Sequence, residues 1–127
     1  MPMIKPVPLE ALPDELATAV ARGRETLMLS STLPVQIWAH RPKAALAWLG
    51  TIEAMHADGV LNPRLRELVR LKIATITRCQ ACQVARKSNE VSEADIACLS
   101  WDDPRFTPAE QAALHYAELF AADYVAI

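Results

Sequence analysis

Apolar residues recur every three or four positions along most of this chain, and this period predicts an all-α fold. The expected helices span approximately residues 14–24, 34–40, 42–57, 63–76, 79–89, 92–99 and 108–124. Two stripes are especially regular, and their members are Ala45, Leu46, Leu49, Ile52 and Met55, then Leu65, Leu68, Val69, Ile73 and Ile76. β-Branched residues at 73–77 hint at a strand, but the helical period starts earlier and continues through them.

Proline and capping residues place the ends of these helices. Residues 1–13 contain four prolines, each lacking an N–H donor, and are expected to form an extended N-terminal arm. Asn62-Pro63 suits an N-cap followed by the first helical position. Thr107, followed three residues later by Glu110, forms a capping-box pattern. The remaining chain, residues 14–127, is predicted to be a single helical domain.

Composition narrows the function classes. The 127 residues are 52% apolar and carry a net charge of −2, which gives no global basic character for binding nucleic acid. No apolar run has the length of a signal peptide or a membrane span. The three cysteines are an odd number, so a reducing compartment is expected and the predicted location is cytoplasmic.

Charge is segregated along the second half of the chain. Residues 64–87 carry seven Lys or Arg and one acid, whereas residues 88–127 carry eight acids and one base. One interpretation is a pair of solvated helix faces. The other is that the basic segment surrounds the cysteine pair and favours its thiolate form.

Cys79 and Cys82 form a CxxC motif between two predicted helices. In the first turn of a helix the two sulfurs share a face, and the free N–H groups and the helix dipole stabilise a thiolate. One cysteine could then attack a substrate and the other resolve the product as a disulfide. The same spacing could instead supply half of a zinc site.

Two charged residues lie before and after the motif at spacings that would allow them to reach the cysteines. Glu67 precedes Cys79 by 12 residues, and Arg86 follows Cys82 by four. If the chain turns back near Arg78, these side chains and the cysteines could form one cluster. The alternative is a surface ion pair beside an incidental CxxC.

The stretch from Arg66 to Ala74, followed by the CxxC, resembles the carboxymuconolactone decarboxylase-like superfamily, and within it the alkylhydroperoxidase-D-like branch. The pattern of that branch is Glu, eleven residues, CxxC, three residues, His. Glu67, Cys79 and Cys82 match in register, and Arg86 occupies the histidine position. The resemblance spans roughly residues 35–125.

The resemblance implies a thiol-dependent peroxidase without metal or cofactor, assembled as a trimer or hexamer. Cys82 would be the peroxidatic thiolate, Cys79 the resolving cysteine and Glu67 the proton acceptor. The partners would be a hydroperoxide or disulfide substrate and a thiol or dithiol reductant. Arg86 would alter the proton relay, because arginine stays protonated at neutral pH. Lactone decarboxylation is disfavoured, since that branch does not rely on the CxxC.

Other interpretations remain open. The chain could be a non-catalytic helical oligomer whose CxxC is a redox sensor or a relic. A structural zinc site would need histidines, but His40, His56 and His115 do not have finger spacing. Cys98 is expected to be a small buried hydrophobe. The chain ends at Ile127 within an apolar helical pattern, which suggests a short variant or cover by a partner subunit.

Overall fold

The computed structural model describes residues 3–56 and 58–127. Within these ranges every regular element is helical, and the all-α prediction is confirmed. The α-helices are α1 (Asp14–Glu25), α2 (Leu33–Trp38), α3 (Pro42–His56), α4 (Pro63–Ile76), α5 (Gln80–Val84), α6 (Glu93–Cys98) and α7 (Pro108–Ala122). They belong to two compact units, Met1–Val60 and Leu61–Ile127. The single domain over residues 14–127 stays a prediction.

The first unit packs α1 and α2 against α3. Its core is an apolar cluster that includes Leu16, Val35 and Leu49, each almost fully buried. Of the predicted α3 stripe, Ala45 and Leu49 are buried, whereas Met55 is exposed near the end of the helix. The stripe therefore identified the correct face, although its last member lies outside the core.

The N-terminal arm is joined to α2 by two hydrogen bonds, one between backbone groups and one from a side chain. The backbone N–H of Val7 donates to the backbone carbonyl of Gln36 at 3.0 Å. The side-chain amide of Gln36 donates to the carbonyl of Val7, also at 3.0 Å. Residues Leu9–Ala11 form one 3-10 turn, so the prediction of a wholly extended arm was wrong there. None of these three residues is proline, so their N–H groups remain able to close a turn. Met1 and Pro2 lie outside the described residues.

The second unit is built on the packing of α4 against α7. Its core contains Leu68, Leu71, Val91, Leu99, Phe106 and Leu114. On α4 the buried residues are Glu67, Leu68, Leu71 and Ala74, whereas the other predicted members Leu65, Val69, Ile73 and Ile76 are only half-buried. The buried face is therefore rotated from the predicted one, and it includes Glu67, whose charge is balanced by Arg70.

The end of α7 also differs from expectation. Leu114 and Ala117 are buried, but Phe120 and Tyr124 are 59% and 77% exposed. The helix ends at Ala122, and Tyr124 lies in a following 3-10 turn. The predicted apolar face thus continues past the core into a solvent-exposed aromatic surface.

Arg64 joins the N-terminal caps of two helices. Both α6 and α7 begin with a full capping box, formed by Ser92 with Asp95 and by Thr107 with Glu110, and the second of these is the capping box predicted from the sequence. The Arg64 guanidinium donates to Asp95 at 2.9 Å and to Glu110 at 2.6 Å. One side chain on α4 thereby contacts the capping boxes of both helices.

Asp95 makes the stability of the protein depend on acid pH. The hydrogen bond from Arg64 is the main cause that lowers the pKa of Asp95 to about 2, with support from Ser92 and against the opposing effect of burial. The ordinary value is 3.8. The unfolded chain therefore binds this proton at a higher pH than the folded chain does, and stability present above pH 4 is lost as the pH falls toward 2.

Urea unfolding at pH 4, 3 and 2 should show a smaller decrease in the free energy of unfolding for Asp95→Asn than for the wild type. An equal slope in both proteins would contradict this assignment.

Candidate redox site

The chain reverses between α4 and α5 at Arg78, as the sequence predicts. Arg78 has a φ of 55°, in the left-handed region. The N–H of Arg78 donates to the Thr75 carbonyl and the N–H of Cys79 donates to the Ala74 carbonyl. This pair of bonds is a Schellman motif, which ends α4 and brings the chain directly into the CxxC.

Cys79 and Cys82 are joined by a disulfide. Cys79 is the N-cap of α5 and Cys82 lies in its first turn, with their Cα atoms 5.2 Å apart. This separation falls in the usual range for a disulfide. Both cysteines are half-buried, so a small reductant has a route to the bond.

Helix α5 is much shorter than predicted. It ends at Val84, and Ala85 has a ψ of 143°, which is extended. The sequence predicts a helix to Asn89, but the Ser88 hydroxyl accepts a hydrogen bond from the Glu90 N–H in a local turn that competes with helix. Arg86 therefore does not lie one helical turn beyond Cys82.

Glu67 is buried beside the disulfide segment with an exposed fraction of 1%. Its carboxylate accepts two hydrogen bonds from Arg70, at 2.7 and 2.8 Å, and one from the backbone N–H of Lys87 at 2.9 Å. Burial acts to raise the pKa of Glu67, but these hydrogen bonds and the charge of Arg70 prevail and lower it. Glu67 is thus held as a carboxylate.

Arg70 is the residue that connects Glu67 to the cysteines. Its Nη1 donates to the Cys82 carbonyl at 2.6 Å, and its Nη2 donates to the Ala85 carbonyl at 2.7 Å. Arg70 was not among the residues predicted for the site, although Glu67 and Arg70 have the i, i+3 spacing of a helical ion pair. That spacing was the sequence feature from which Arg70 could have been predicted as a partner of Glu67.

Arg86 does not take the place predicted for it beside Glu67. Its guanidinium pairs with Glu93 at 3.1 Å and donates to the Gln83 carbonyl at 2.6 Å. Its charge is the smallest of the contributions that lower the pKa of Glu67. The structure therefore brings together the cysteines, Arg70 and Glu67, and gives Arg86 a different carboxylate partner.

Ion pairs neutralise much of the basic segment 64–87. Arg64, Arg70, Lys72 and Arg86 each pair with an acidic side chain of the same unit. Lys87, in the same segment, is half-buried. Burial, followed by the nearby charge of Arg70, lowers the pKa of Lys87.

The third cysteine and the histidines have separate partners. Cys98 is half-buried and its thiol donates to Asp103 at 3.2 Å, so the expected full burial was wrong. His40 and His56 bond to the carbonyls of Lys5 and Thr26, and His115 stacks on Trp101. Among the residues described, no three side chains of metal-ligating type cluster together. Nor does that part of the chain contain a helix with the length and apolar character to cross a bilayer.

Comparison with known proteins identifies the family. The sequence profile of the Carboxymuconolactone decarboxylase family matches residues 42–119. No curated protein and no solved structure matches the chain. The matched segment contains α3 to α6 and most of α7, and with them the disulfide, Glu67 and Arg70. Because the match covers more than half of the sequence, this chain belongs to the carboxymuconolactone decarboxylase family.

Proposed function

We propose that this protein is a thiol-disulfide oxidoreductase of the alkylhydroperoxidase-D-like type that reduces hydroperoxides through Cys79 and Cys82. The observation that supports this most is the disulfide at the start of α5, backed by the buried Glu67–Arg70 pair. The family includes enzymes, and an enzymatic role agrees with a cysteine pair that is only half-buried.

The proposed cycle starts from the dithiol. The Cys82 thiol releases its proton, and the thiolate attacks the distal oxygen of a hydroperoxide, which becomes the oxygen of a sulfenic acid as the O–O bond breaks. The leaving alkoxide takes up the released proton and departs as the alcohol. Cys79 then attacks the sulfenic acid of Cys82, which forms the disulfide and releases water. An external thiol or dithiol reduces the disulfide and supplies two electrons and two protons, which restores both thiols.

The proposed roles of the charged residues follow from their contacts. A carboxylate with three hydrogen-bond donors and a lowered pKa is a weak base, which favours a positioning role for Glu67 over the proton-acceptor role that the resemblance implies. Arg86 contributes positive charge near the site but cannot relay a proton. The altered relay is therefore part of the proposal.

The assembly and partners of the protein are also proposed. Tyr116, Phe120 and Tyr124 are exposed aromatic residues at the end of the chain, and this supports a homo-oligomer such as a trimer or hexamer. The substrate would be a hydroperoxide or a disulfide, the reductant a thiol or dithiol, and the location the cytoplasm.

Thiol reactivity separates this proposal from the alternative, a non-catalytic helical oligomer with a sensing or relic CxxC. We expect iodoacetamide to alkylate Cys82 of the reduced protein with a pH midpoint below about 8.5, because a helix N-terminus favours the thiolate. Alkylation is followed by mass spectrometry of the peptide that contains Cys82, with Cys98 as the internal comparison. Midpoints near the ordinary thiol value for both Cys79 and Cys82 would support the relic.

A further inference from the structure

The CxxC helix is held at its carboxyl end by a side chain from another helix. The last backbone bond of α5 runs from the Ala85 N–H to the Ala81 carbonyl. The next carbonyl, that of Cys82, accepts a hydrogen bond from Arg70 instead. The carbonyl of Ala85 accepts from Arg70 at 2.7 Å and also from Arg86 at 3.0 Å. Arg70 thus supplies donors where the helix provides none of its own.

Arg70 is itself fixed on α4. Two of its nitrogens bond to the Glu67 carboxylate, and Glu67 also accepts the backbone N–H of Lys87. The pair therefore contacts the segment from Cys82 to Lys87 at three backbone positions. One planar guanidinium reaches a carboxylate and two carbonyls at once, which a lysine ammonium has neither the shape nor the reach to reproduce.

A helix of five residues is not stable in isolation. In the oxidised protein the disulfide holds α5 together with Arg70 and with Arg86, which donates to the carbonyls of Gln83 and Ala85. In the reduced protein the disulfide is absent and both arginines remain, but Arg70 bonds the Cys82 backbone itself and so keeps Cys79 and Cys82 close enough to bond. Two thiols held at bonding distance have a higher effective concentration, which favours the disulfide.

We infer that Arg70 is a positioning residue that lowers the reduction potential of the Cys79–Cys82 couple by holding α5 through the carbonyls of Cys82 and Ala85. This inference rests on the proposed redox function, because it takes the couple to be reversible. It assigns the control of that couple to a residue outside the CxxC motif. Glu67 acts through Arg70 in the same way.

The test equilibrates the full chain with mixtures of reduced and oxidised dithiothreitol. Each dithiothreitol that closes its ring transfers two electrons and two protons to one protein disulfide. The reduced fraction is trapped by alkylation and counted by mass spectrometry. We expect Arg70→Lys and Arg70→Gln each to shift the equilibrium about tenfold toward the dithiol, the effect of losing hydrogen bonds from a charged group. This shift corresponds to a potential about 30 mV higher.

Arg105→Lys is the matched control, since Arg105 also bonds a carboxylate, that of Asp103, and a carbonyl, that of Ala94. It should leave the equilibrium unchanged. If Arg70→Gln does not fold, Glu67→Gln/Arg70→Gln replaces it, because the double variant leaves no buried carboxylate without a cation.

Two results would overturn the inference. One is a wild-type reduction potential in Arg70→Lys, which would show that a positive charge at residue 70 is sufficient and that the planar guanidinium is not needed. The other is a lower potential in Arg70→Gln, which would show that Arg70 acts by stabilising a thiolate. No hydroperoxide is used in this experiment, so the two proposals can fail separately. If the protein does not reduce hydroperoxides but shows the expected shift in potential, the proposed function is wrong and this inference stands.

Discussion

Cys82→Ser is expected to abolish hydroperoxide reduction. With cumene hydroperoxide as substrate and dithiothreitol as reductant, the rate should fall ~10³-fold or more, because the variant lacks the attacking sulfur. Cys79→Ser should retain the first attack but lose the rapid closure of the disulfide. The measurement is peroxide consumption with time at fixed protein concentration.

Cys98→Ser is the matched control for that experiment. Cys98 lies outside the disulfide and donates its thiol hydrogen to Asp103. It should keep the wild-type rate, since serine can make the same contact. If Cys82→Ser reduces the hydroperoxide at the wild-type rate, Cys82 is not the attacking cysteine.

Arg70→Ala carries the largest expected effect on stability. The substitution leaves the Glu67 carboxylate buried without its cation and removes the donors to Cys82 and Ala85. We expect the free energy of unfolding to fall by about 3 kcal/mol, near the lower end for breaking a buried ion pair, because Arg70 itself is partly exposed. Urea unfolding of the oxidised protein at neutral pH gives the value.

The variant Glu67→Gln/Arg70→Met identifies the source of that loss. It has no buried charge, and methionine fills part of the volume of the arginine stem. It should therefore be more stable than Arg70→Ala. If the double variant is less stable than Arg70→Ala, the unpaired Glu67 carboxylate is not the main reason for the stability that Arg70→Ala loses.

The sequence predicts helices well where local signals and packing agree. The N-terminal ends of α4 and α7 follow from Asn62 and Thr107, whose side chains cap the helices as expected, and Ser92 caps α6 in the same way. The turn at Arg78 is also correct, although a left-handed arginine has no simple sequence signature. These features depend on contacts within a few residues.

The site was predicted only in part, because its decisive contacts are not local. The spacing predicted that Glu67 and the CxxC lie near each other, and in the structure Arg70 bonds both Glu67 and the Cys82 carbonyl. The spacing could not indicate that Arg70 turns toward the backbone of α5. The position of Arg86 was inferred from a helix to Asn89 that ends at Val84. A local turn at Ser88 and the donors of Arg70 outweigh the helical pattern there.

The most direct test of the central claim is one turnover of the reduced protein. Reduced Cys98→Ser, freed of reductant under nitrogen, is mixed with one equivalent of cumene hydroperoxide, and thiols and intact mass are followed with time. We predict the loss of both thiols, a mass decrease of two hydrogen atoms, and a Cys79–Cys82 disulfide formed together with one equivalent of alcohol. Thiols that persist at the level of a peroxide-free control would contradict the claim that this pair reduces hydroperoxides.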